Sequence, residues 1–279
     1  MLGLLKGKAK GDAMQSTGQV EESIISTFRR AARLSLMAFV IAGVAAINVN
    51  AQQADSRKQP SKSTSIKASK RVAITASNIR EAEQLLSDLG YWTGSIDGKM
   101  DAASRNALIA FQKVEGRQPT GQLTRSELEA LQNATRPSPL ESGYAHVEAD
   151  LGRQVLFVID EGGTVTKVLP ISSGNGEEFT SEGWTRRAVT PTGRFKVYRK
   201  VEGWRKAPLG DIYYPNYFLG GVAIHGSASI PTRPASHGCI RIPVYAAKEF
   251  SEMTPTGTVV IVHDGSAVAQ DKINPAQQR

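Results

Sequence analysis

The stretch AIHGSASIPTRPASHGCIRIP, residues 223–243, holds two of the four histidines of this 279-residue chain and its only cysteine. The alternating residues Val222–His225 predict a strand that ends at the first of these histidines. Cys239 follows 14 positions after His225, beyond a Pro-containing excursion that is long enough to leave a sheet and return. We therefore expect His225 and Cys239 to lie at one cleft of a mostly β domain.

A thiol and an imidazole that meet in this way can act as a nucleophile and its base. The thiolate is the reactive form of cysteine, and a neighbouring histidine can take the thiol proton. His225 is our candidate for this base, because His237 lies too close to Cys239 along the chain. A backbone carbonyl, such as that of Gly226, can orient the imidazole as a carboxylate or an amide does in other catalytic triads.

The segment Ser236-His237-Gly238-Cys239 also offers backbone amides to a reaction. Acyl transfer builds negative charge on a carbonyl oxygen, and each N–H group aimed at that oxygen is worth about 3 kcal/mol. Gly238 has no side chain to obstruct such a turn. The amides of residues 237–239 are therefore the predicted oxyanion hole, and His237 has a supporting role.

Residue types alone leave two other interpretations of this cluster open. His225, His237 and Cys239 could bind zinc, although a zinc site takes a fourth ligand or a water, and no carboxylate stands out nearby in the sequence. A free cysteine can also be a buried core residue. The remaining histidines, His146 and His263, stand alone and are predicted to be structural or surface groups.

Upstream of the cluster, residues 78–132 have the periodicity of a small helical module. Apolar residues recur at helical spacing in three segments. Asn78 is the candidate N-cap of the first segment, Gly90 closes it, and Thr124–Glu127 has the pattern of a capping box at the start of the third. The sequence therefore predicts an all-α module of three helices.

The periodicity changes after a linker at residues 133–143. Residues 144–264 show strand alternation, with a hairpin around Glu161–Gly163 and a final buried strand at 258–263. One helix is predicted to begin at Pro243. This part of the chain is predicted to be a mostly β domain.

The net charge of +8 belongs to the N-terminal part of the chain. Residues 1–71 carry 12 Lys/Arg and 4 Asp/Glu, whereas residues 72–279 carry 22 of each. A basic N-terminal segment can rest on an anionic membrane or wall polymer. The balanced charge of the rest gives no support for a nucleic-acid-binding surface, so nucleic acid is not an expected partner.

The first 51 residues have the order of a secretory leader. Arg33 precedes LSLMAFVIAGVAAI, 14 residues without a charge, and a small-x-Ala pattern ends at Ala51. This run is shorter than the roughly 20 residues of a spanning helix. We predict that residues 1–51 form a cytoplasmic leader and a signal peptide, or an uncleaved membrane anchor. Residues 52–77 are then predicted to form a basic, disordered spacer, and residues 265–279 are predicted to form a disordered tail.

Predicted export makes the single cysteine a candidate functional residue. Exported proteins use cysteines in pairs to form disulfides, and a single cysteine has no partner within the chain. The motif IHG…SHGCIR closely resembles the signature of L,D-transpeptidases, the cysteine enzymes of bacterial wall cross-linking. VTPTGRFKVYRK, YYPNYFLGGVAIHG and GTVVIV resemble other blocks of that family in the same order, over about residues 150–264. The resemblance implies that Cys239 is the nucleophile and His225 the proton acceptor and donor, with His237 and Gly238 at the oxyanion site.

The same resemblance suggests residues that contact substrate. Arg241 stands at a position that is usually Arg or Asn in the family, and it is a candidate to hold a substrate carboxylate or a structural acid. Ser236 is a further candidate for substrate binding. Tyr214 and Tyr217 belong to an aromatic cluster that either lines the cleft or packs in the core.

The helical module carries a second resemblance. LGYWTGSIDG and ALIAFQ are similar to the peptidoglycan-binding domain found in cell-wall enzymes. The alternative is a helical bundle that merely spaces the next domain. Together the two resemblances imply a multidomain chain, in which a small all-α three-helix module precedes a mostly β catalytic domain with the β-sandwich-like L,D-transpeptidase fold.

The resemblance also implies a reaction and its partners. Such enzymes form a thioester with the third residue of a peptidoglycan stem peptide, release D-Ala, and pass the acyl group to the side-chain amine of another stem. Peptidoglycan stem peptides and glycan are the expected partners, and no cofactor or metal is needed. An L,D-carboxypeptidase, an exchange or attachment enzyme, and a non-catalytic wall-binding protein remain alternatives. The expected location is the periplasm, or the outer face of the cytoplasmic membrane or cell wall.

Overall fold

The computed structural model of the protein describes residues 73–265. The predicted leader at 1–51, the spacer up to residue 72 and the tail from residue 266 lie outside the described residues. A helical module precedes a mostly β domain, as the sequence predicts. The helices are α1 Ala76–Asp88, α2 Ala102–Val114, α3 Arg125–Gln132 and α4 Ala247–Met253, the last preceded by a 3-10 turn at Val244–Ala246.

Twelve strands follow α3 within the described range. They are β1 His146–Asp150, β2 Val155–Ile159, β3 Val165–Pro170, β4 Glu178–Ser181, β5 Trp184–Arg187, β6 Gly193–Lys196, β7 Arg199–Lys200, β8 Trp204–Arg205, β9 Ile212–Leu219, β10 Val222–Ser227, β11 Ile240–Pro243 and β12 Val259–His263. One sheet has the order β3-β2-β1-β12-β6, and the second has the order β11-β10-β9-β7 with β8 also paired to β9. Strands β4 and β5 form a separate hairpin.

The first helix begins earlier than the sequence predicts. Thr75 is its N-cap, and the Thr75 hydroxyl accepts the Asn78 N–H at 3.3 Å while the Asn78 side chain accepts the Thr75 N–H at 3.2 Å. Asn78 therefore closes a capping box from inside the helix, and its prediction as the N-cap was wrong. Residues 76–77, which were assigned to the disordered spacer, belong to α1.

The predicted capping box of α3 is only half formed. The Thr124 hydroxyl accepts the Glu127 N–H at 3.2 Å, as a capping residue should. The Glu127 carboxylate accepts hydrogen bonds from Arg117 Nε at 3.0 and 3.1 Å. This ion pair ties the start of α3 to the segment that follows α2.

Strand β2 is buried on both faces, which explains its unbroken apolar sequence VLFVI. Leu156 and Val158 face a core between the two sheets, which α4 also joins through Phe250. Val155 and Phe157 face the opposite way, into a second core. The alternation of side chains along one strand thus connects two cores.

The second core is shared by the helical module and the β domain. Helix residues such as Leu86, Leu108 and Phe111 pack there with Val155 and Phe157 of β2, and all of them are fully or almost fully buried. The two modules fall in one compact unit. The helices therefore complete their core on the outer face of the sheet, rather than as an independent bundle.

The turn that carried the peptidoglycan-binding resemblance lies in this contact. The Val168 N–H donates to the Gly90 carbonyl at 2.8 Å, and the Trp92 N–H donates to the Val168 carbonyl at 3.1 Å. Tyr91 is buried in the shared core, and Trp92 is buried in the core between the sheets. The turn thus extends the edge of the sheet at β3.

The predicted linker at residues 133–143 is tied to the β domain at both ends. Arg136 Nη1 donates to the Val165 carbonyl at 2.7 Å. The amides of Leu140 and Glu141 each donate to the buried Glu148 carboxylate at 2.8 Å.

Among the described residues, no helix has the length and apolar character needed to cross a membrane.

Candidate active site

Parallel pairing of β10 and β11 brings the cysteine and the histidine to one face of the sheet. His225 pairs with Arg241, and Ile224 pairs with Ile240. Ile224 and Ile240 point into the core, so the alternate residues His225 and Arg241 point to the other face. Cys239 directly precedes Ile240 and shares that face. Its Cα lies two residues along from the level of His225, roughly 8 Å away by strand spacing.

The spacing between the two residues follows from this parallel pairing. Parallel neighbours cannot be joined by a tight turn and need a crossover of about a dozen residues. Residues 228–239 form that connection between β10 and β11. The excursion that the sequence suggests is thus the crossover that returns the chain to the end of the sheet at which β10 begins.

The imidazole of His225 is held by its own backbone segment. Nδ1 lies 2.9 Å from the Gly226 carbonyl oxygen, as the sequence suggests. Since that oxygen can only accept, Nδ1 carries the proton and Nε2 is left as the basic nitrogen. Burial lowers the pKa of His225, the Gly226 hydrogen bond raises it, and the positive charge of Arg241 lowers it. The net effect is a lowered pKa and a neutral imidazole.

The thiol of Cys239 lies beside the first residues of β10. Sγ accepts the Ala223 N–H at 3.4 Å and donates to the Gly221 carbonyl at 3.7 Å. Burial raises the pKa of Cys239, whereas the Ala223 hydrogen bond and the charge of Arg241 lower it, and the net shift is upward. The site therefore holds a neutral thiol and a neutral imidazole on one face of the sheet, which are the protonation states that general-base catalysis starts from.

Residues 235–239 form the loop that we call the nucleophile loop, after the role predicted for Cys239, and it is built around the Ser236 hydroxyl. Its Oγ accepts the Gly238 N–H at 3.1 Å and donates to the Cys239 carbonyl. Ser236 is only 2% exposed and its hydroxyl shapes the loop, while its predicted role in substrate binding stays a prediction. The Gly238 N–H donates to this hydroxyl, and the assignment of Gly238 to the oxyanion hole stays a prediction. The amides of His237 and Cys239 are the other candidates.

Gly238 is needed for its backbone conformation. Its φ is +130°, where side chains are strongly disfavoured, and a Cβ there would lie 3.1 Å from the Val189 carbonyl oxygen. Its own carbonyl accepts a hydrogen bond from Thr190 Oγ1 at 2.8 Å. The same Thr190 hydroxyl accepts the Gly174 N–H at 2.8 Å. Thr190 thus clamps the nucleophile loop to the segment that follows β3.

That segment, residues 171–175, supports the crossover along its length. The backbone N–H and C=O of Ser172 both bond to Arg241 at 3.1 Å, and the Ser173 carbonyl accepts the amides of Ala235 and Ser236. Gly174 packs so tightly that a Cβ would lie 2.2 Å from the Ala188 carbonyl. The bonds from Ser172 and Ser173 join residues that are 62 to 69 positions apart, and reasoning from the sequence did not find them. Gly174 in ISSGN and Thr190 in VTPTG were the residues that could have indicated these contacts.

His237 lies in the same loop as Cys239, two residues before it. It is exposed, and its ring meets the ring of Phe179 edge-on with centroids 4.8 Å apart. Phe179 belongs to the β4–β5 hairpin, whose other residues are mostly exposed. The hairpin therefore contacts the nucleophile loop through the ring of Phe179. The supporting role of His237 stays a prediction.

The two predicted tyrosines occupy different places on β9. Tyr217 pairs with Ala223 next to the site, but it is 4% exposed and the Arg199 guanidinium lies 4.0 Å from its ring centre. Tyr214 packs against the core between the sheets at a bulge opposite His225, with φ at +47°. Bulges re-aim side chains next to active sites, so Tyr214 fits a positioning role. Substrate binding by either residue stays a prediction.

The zinc interpretation needs three ligands that converge. Within residues 73–265, which include every histidine and the cysteine, no three His, Cys, Asp or Glu side chains are grouped so as to hold a metal ion. His146 is buried against Glu148 at 3.0 Å, and His263 is buried at the end of β12. Both are structural groups away from the cleft.

Comparison with protein families identifies both parts of the chain. The L,D-transpeptidase catalytic domain matches residues 144–262, and a peptidoglycan-binding domain matches residues 75–131. The crystal structure of an L,D-transpeptidase from Xylanimonas cellulosilytica matches with 39% sequence identity and a TM-score of 0.65, over 69% of this chain and 96% of that chain. The chain belongs to the L,D-transpeptidase family.

More distant solved structures carry the same family name. An L,D-transpeptidase from Stackebrandtia nassauensis matches with 23% identity and a TM-score of 0.39, over 66% of this chain and 90% of that chain. One from Mycobacterium smegmatis matches with 22% identity and a TM-score of 0.36, over 43% and 58%. A comparison with curated proteins found no match.

Proposed function

We propose that the chain is an exported cysteine L,D-transpeptidase that forms peptidoglycan cross-links. Its substrate is the stem tetrapeptide, which it joins to Cys239 as a thioester with release of D-Ala. The observation that carries this proposal is the parallel pairing of β10 with β11, in which His225 is opposite Arg241, two residues after Cys239. Family membership and the upstream peptidoglycan-binding domain support peptidoglycan as the substrate.

The first half of the reaction uses the neutral pair. The Cys239 thiol turns from the Gly221 carbonyl toward Nε2 of His225 and gives up its proton as sulfur attacks the carbonyl carbon. The amides of His237 and Cys239 receive the charge that grows on the carbonyl oxygen. The imidazolium then protonates the departing amine of D-Ala, which leaves the thioester and a neutral imidazole.

The second half reverses these proton movements. The side-chain amine of a second stem attacks the thioester carbonyl and gives a proton to His225. The tetrahedral intermediate collapses, the new amide bond forms, and the thiolate regains its proton from the imidazolium. Nδ1 keeps its bond to Gly226 throughout, so the ring is held in place while Nε2 exchanges the proton.

The first experiment is acylation of the thiol by a carbapenem, because the family is open to these β-lactams. We expect a one-to-one adduct by intact-protein mass spectrometry, and none for Cys239→Ser. His225→Gln should slow acylation by about 10²–10⁴-fold, the usual contribution of a general base. His263→Gln, a buried histidine away from the cleft, is the control for folding. An unchanged rate in His225→Gln would remove this residue from the mechanism.

Products from purified muropeptides separate the proposed reaction from its alternatives. Cross-linked dimers that contain the acyl donor support transfer to a second stem. Tripeptides alone indicate that water deacylates the enzyme, which would make it an L,D-carboxypeptidase. Adducts with a free D-amino acid or a protein amine indicate exchange or attachment. A chain that binds sacculi and forms neither adduct nor product is a non-catalytic wall-binding protein.

A further inference from the structure

Lys113 of the helical module is buried against the β domain. It lies in the last turn of α2 and is 8% exposed. Its Nζ donates to the Gln154 carbonyl at 3.0 Å and to the Ile171 carbonyl at 3.2 Å. Burial lowers the pKa of Lys113 to about 8. A lysine is almost never this buried without partners, so these two carbonyls are what the ammonium is placed to meet.

Both carbonyls belong to residues that hold the segment behind the nucleophile loop. Gln154 has φ at +56°, which turns the chain into β2, and its carbonyl also accepts the Ile171 N–H at 3.0 Å. Its side chain then reaches Ser173: Oε1 accepts the Ser173 N–H at 2.9 Å, and Nε2 donates to Ser173 Oγ at 2.7 Å. Lys113 and Gln154 together fix the path of residues 171–173.

Ser173 connects residues 171–173 to the loop that carries Cys239. Its carbonyl accepts the N–H groups of Ala235 at 2.9 Å and Ser236 at 2.8 Å. Ser236 in turn bonds to the Gly238 amide and the Cys239 carbonyl. A series of hydrogen bonds, joined by short stretches of backbone and side chain, thus runs from the helical module to the backbone of Cys239.

We propose that Lys113 is a positioning residue of the catalytic centre, which it acts on through Gln154, Ser173 and Ser236. The helical module then has a second role besides wall binding, because it supplies a group that holds the loop of Cys239 in its reactive shape. This inference rests on the proposed function in one respect, the assignment of Cys239 as nucleophile.

Two substitutions in the full chain test it against a matched control. Lys113→Met keeps the length and packing of the side chain but removes the ammonium. Gln154→Ala removes the two bonds to Ser173 while leaving the backbone carbonyl in place. Arg136→Met is the control, since Arg136, in the linker that follows α3, also donates to a carbonyl of β3, at Val165. That carbonyl is at the opposite end of the strand from the nucleophile loop.

We expect Lys113→Met and Gln154→Ala each to slow carbapenem acylation about tenfold, and the double variant to lose little more than one of them, because both act through one chain of contacts. Hydrogen exchange of the amides of residues 235–241 should speed up in both variants. Arg136→Met should lose stability, measured as Tm, without either effect.

The exchange measurement keeps this inference separate from the proposed function. If the wild-type thiol forms no adduct, the proposed function fails, and exchange at residues 235–241 still decides whether Lys113 orders the loop. Wild-type exchange there in Lys113→Met would overturn the positioning role. Equal acceleration in Arg136→Met would do the same, because it would trace the effect to general destabilisation.

Discussion

Arg241 acts on both reacting groups through its charge. It faces the same side of the sheet as His225, and it lowers the pKa of both His225 and Cys239. The cation stabilises a thiolate and repels an imidazolium. The charge of Arg241 therefore eases loss of the thiol proton but also weakens His225 as its acceptor, and on Cys239 it acts against the larger effect of burial.

Replacing Arg241 by Met should raise the pKa of both groups. The thiolate loses a stabilising charge, and the imidazolium is no longer repelled, so each group holds its proton to higher pH. The pH profile of Cys239 alkylation by iodoacetamide should move to higher pH in Arg241→Met, whereas Arg241→Lys should stay near the wild type. The backbone bonds of residue 241 to Ser172 remain in both variants. A profile that does not move would show that this charge is screened from the sulfur.

Gly238 offers a second test, of backbone shape alone. Gly238→Ala places a Cβ 3.1 Å from the Val189 carbonyl at a φ of +130°, a strain of about 1–3 kcal/mol. Gly176→Ala is matched in having a positive φ of +78°, with no atom within 4 Å of the new Cβ. Both variants should lower Tm, but only Gly238→Ala should slow acylation by about tenfold or more. Equal acylation rates would mean that the loop adapts without moving the thiol.

At the scale of elements, the nucleophile loop is held by a segment that is distant in sequence. Thr190, just before β6, joins Gly174 and Gly238 through one hydroxyl. Thr190→Val removes that hydroxyl at nearly constant volume and leaves a buried amide and a buried carbonyl without it, at a cost of about 1–3 kcal/mol each. Thr192→Val, two residues away and exposed, is the control. We expect slower acylation and a lower Tm in Thr190→Val only, with recovery in Thr190→Ser.

The sequence was a better guide to which residues lie on the same face of a sheet than to which distant segments contact each other. Period-2 alternation placed His225 on a strand, and the crossover length brought Cys239 back to it, because both are local properties of the chain. The bonds from Thr190 and Lys113 could not be predicted, since they join segments 40 or more positions apart. The hydrogen bond of the Gly238 amide to the hydroxyl of Ser236 was not predicted either, because the pattern of residue types does not show where a serine side chain points.

At the scale of the whole molecule, the helical module and the β domain share one core. Phe157 of β2 packs among the helices, while its neighbour Leu156 packs between the two sheets. Unfolding the helices would expose Val155 and Phe157, which are fully buried. Two modules that match separate families are therefore expected to unfold together, because neither can lose its structure without exposing the apolar surface of the other.

Leu108→Ala tests this cooperativity. Leu108 lies on α2, fully buried in the shared core, and the truncation should cost about 2–5 kcal/mol. We expect one calorimetric transition for both the wild type and the variant, with a lower Tm in the variant. The control Val262→Ala, in the core between the sheets, should lower the same transition. Carbapenem acylation of Cys239 should be lost along the same thermal curve as helical circular dichroism in every variant. A separate early transition in Leu108→Ala, with acylation intact above it, would mean that the helices melt off a catalytic domain that stands by itself.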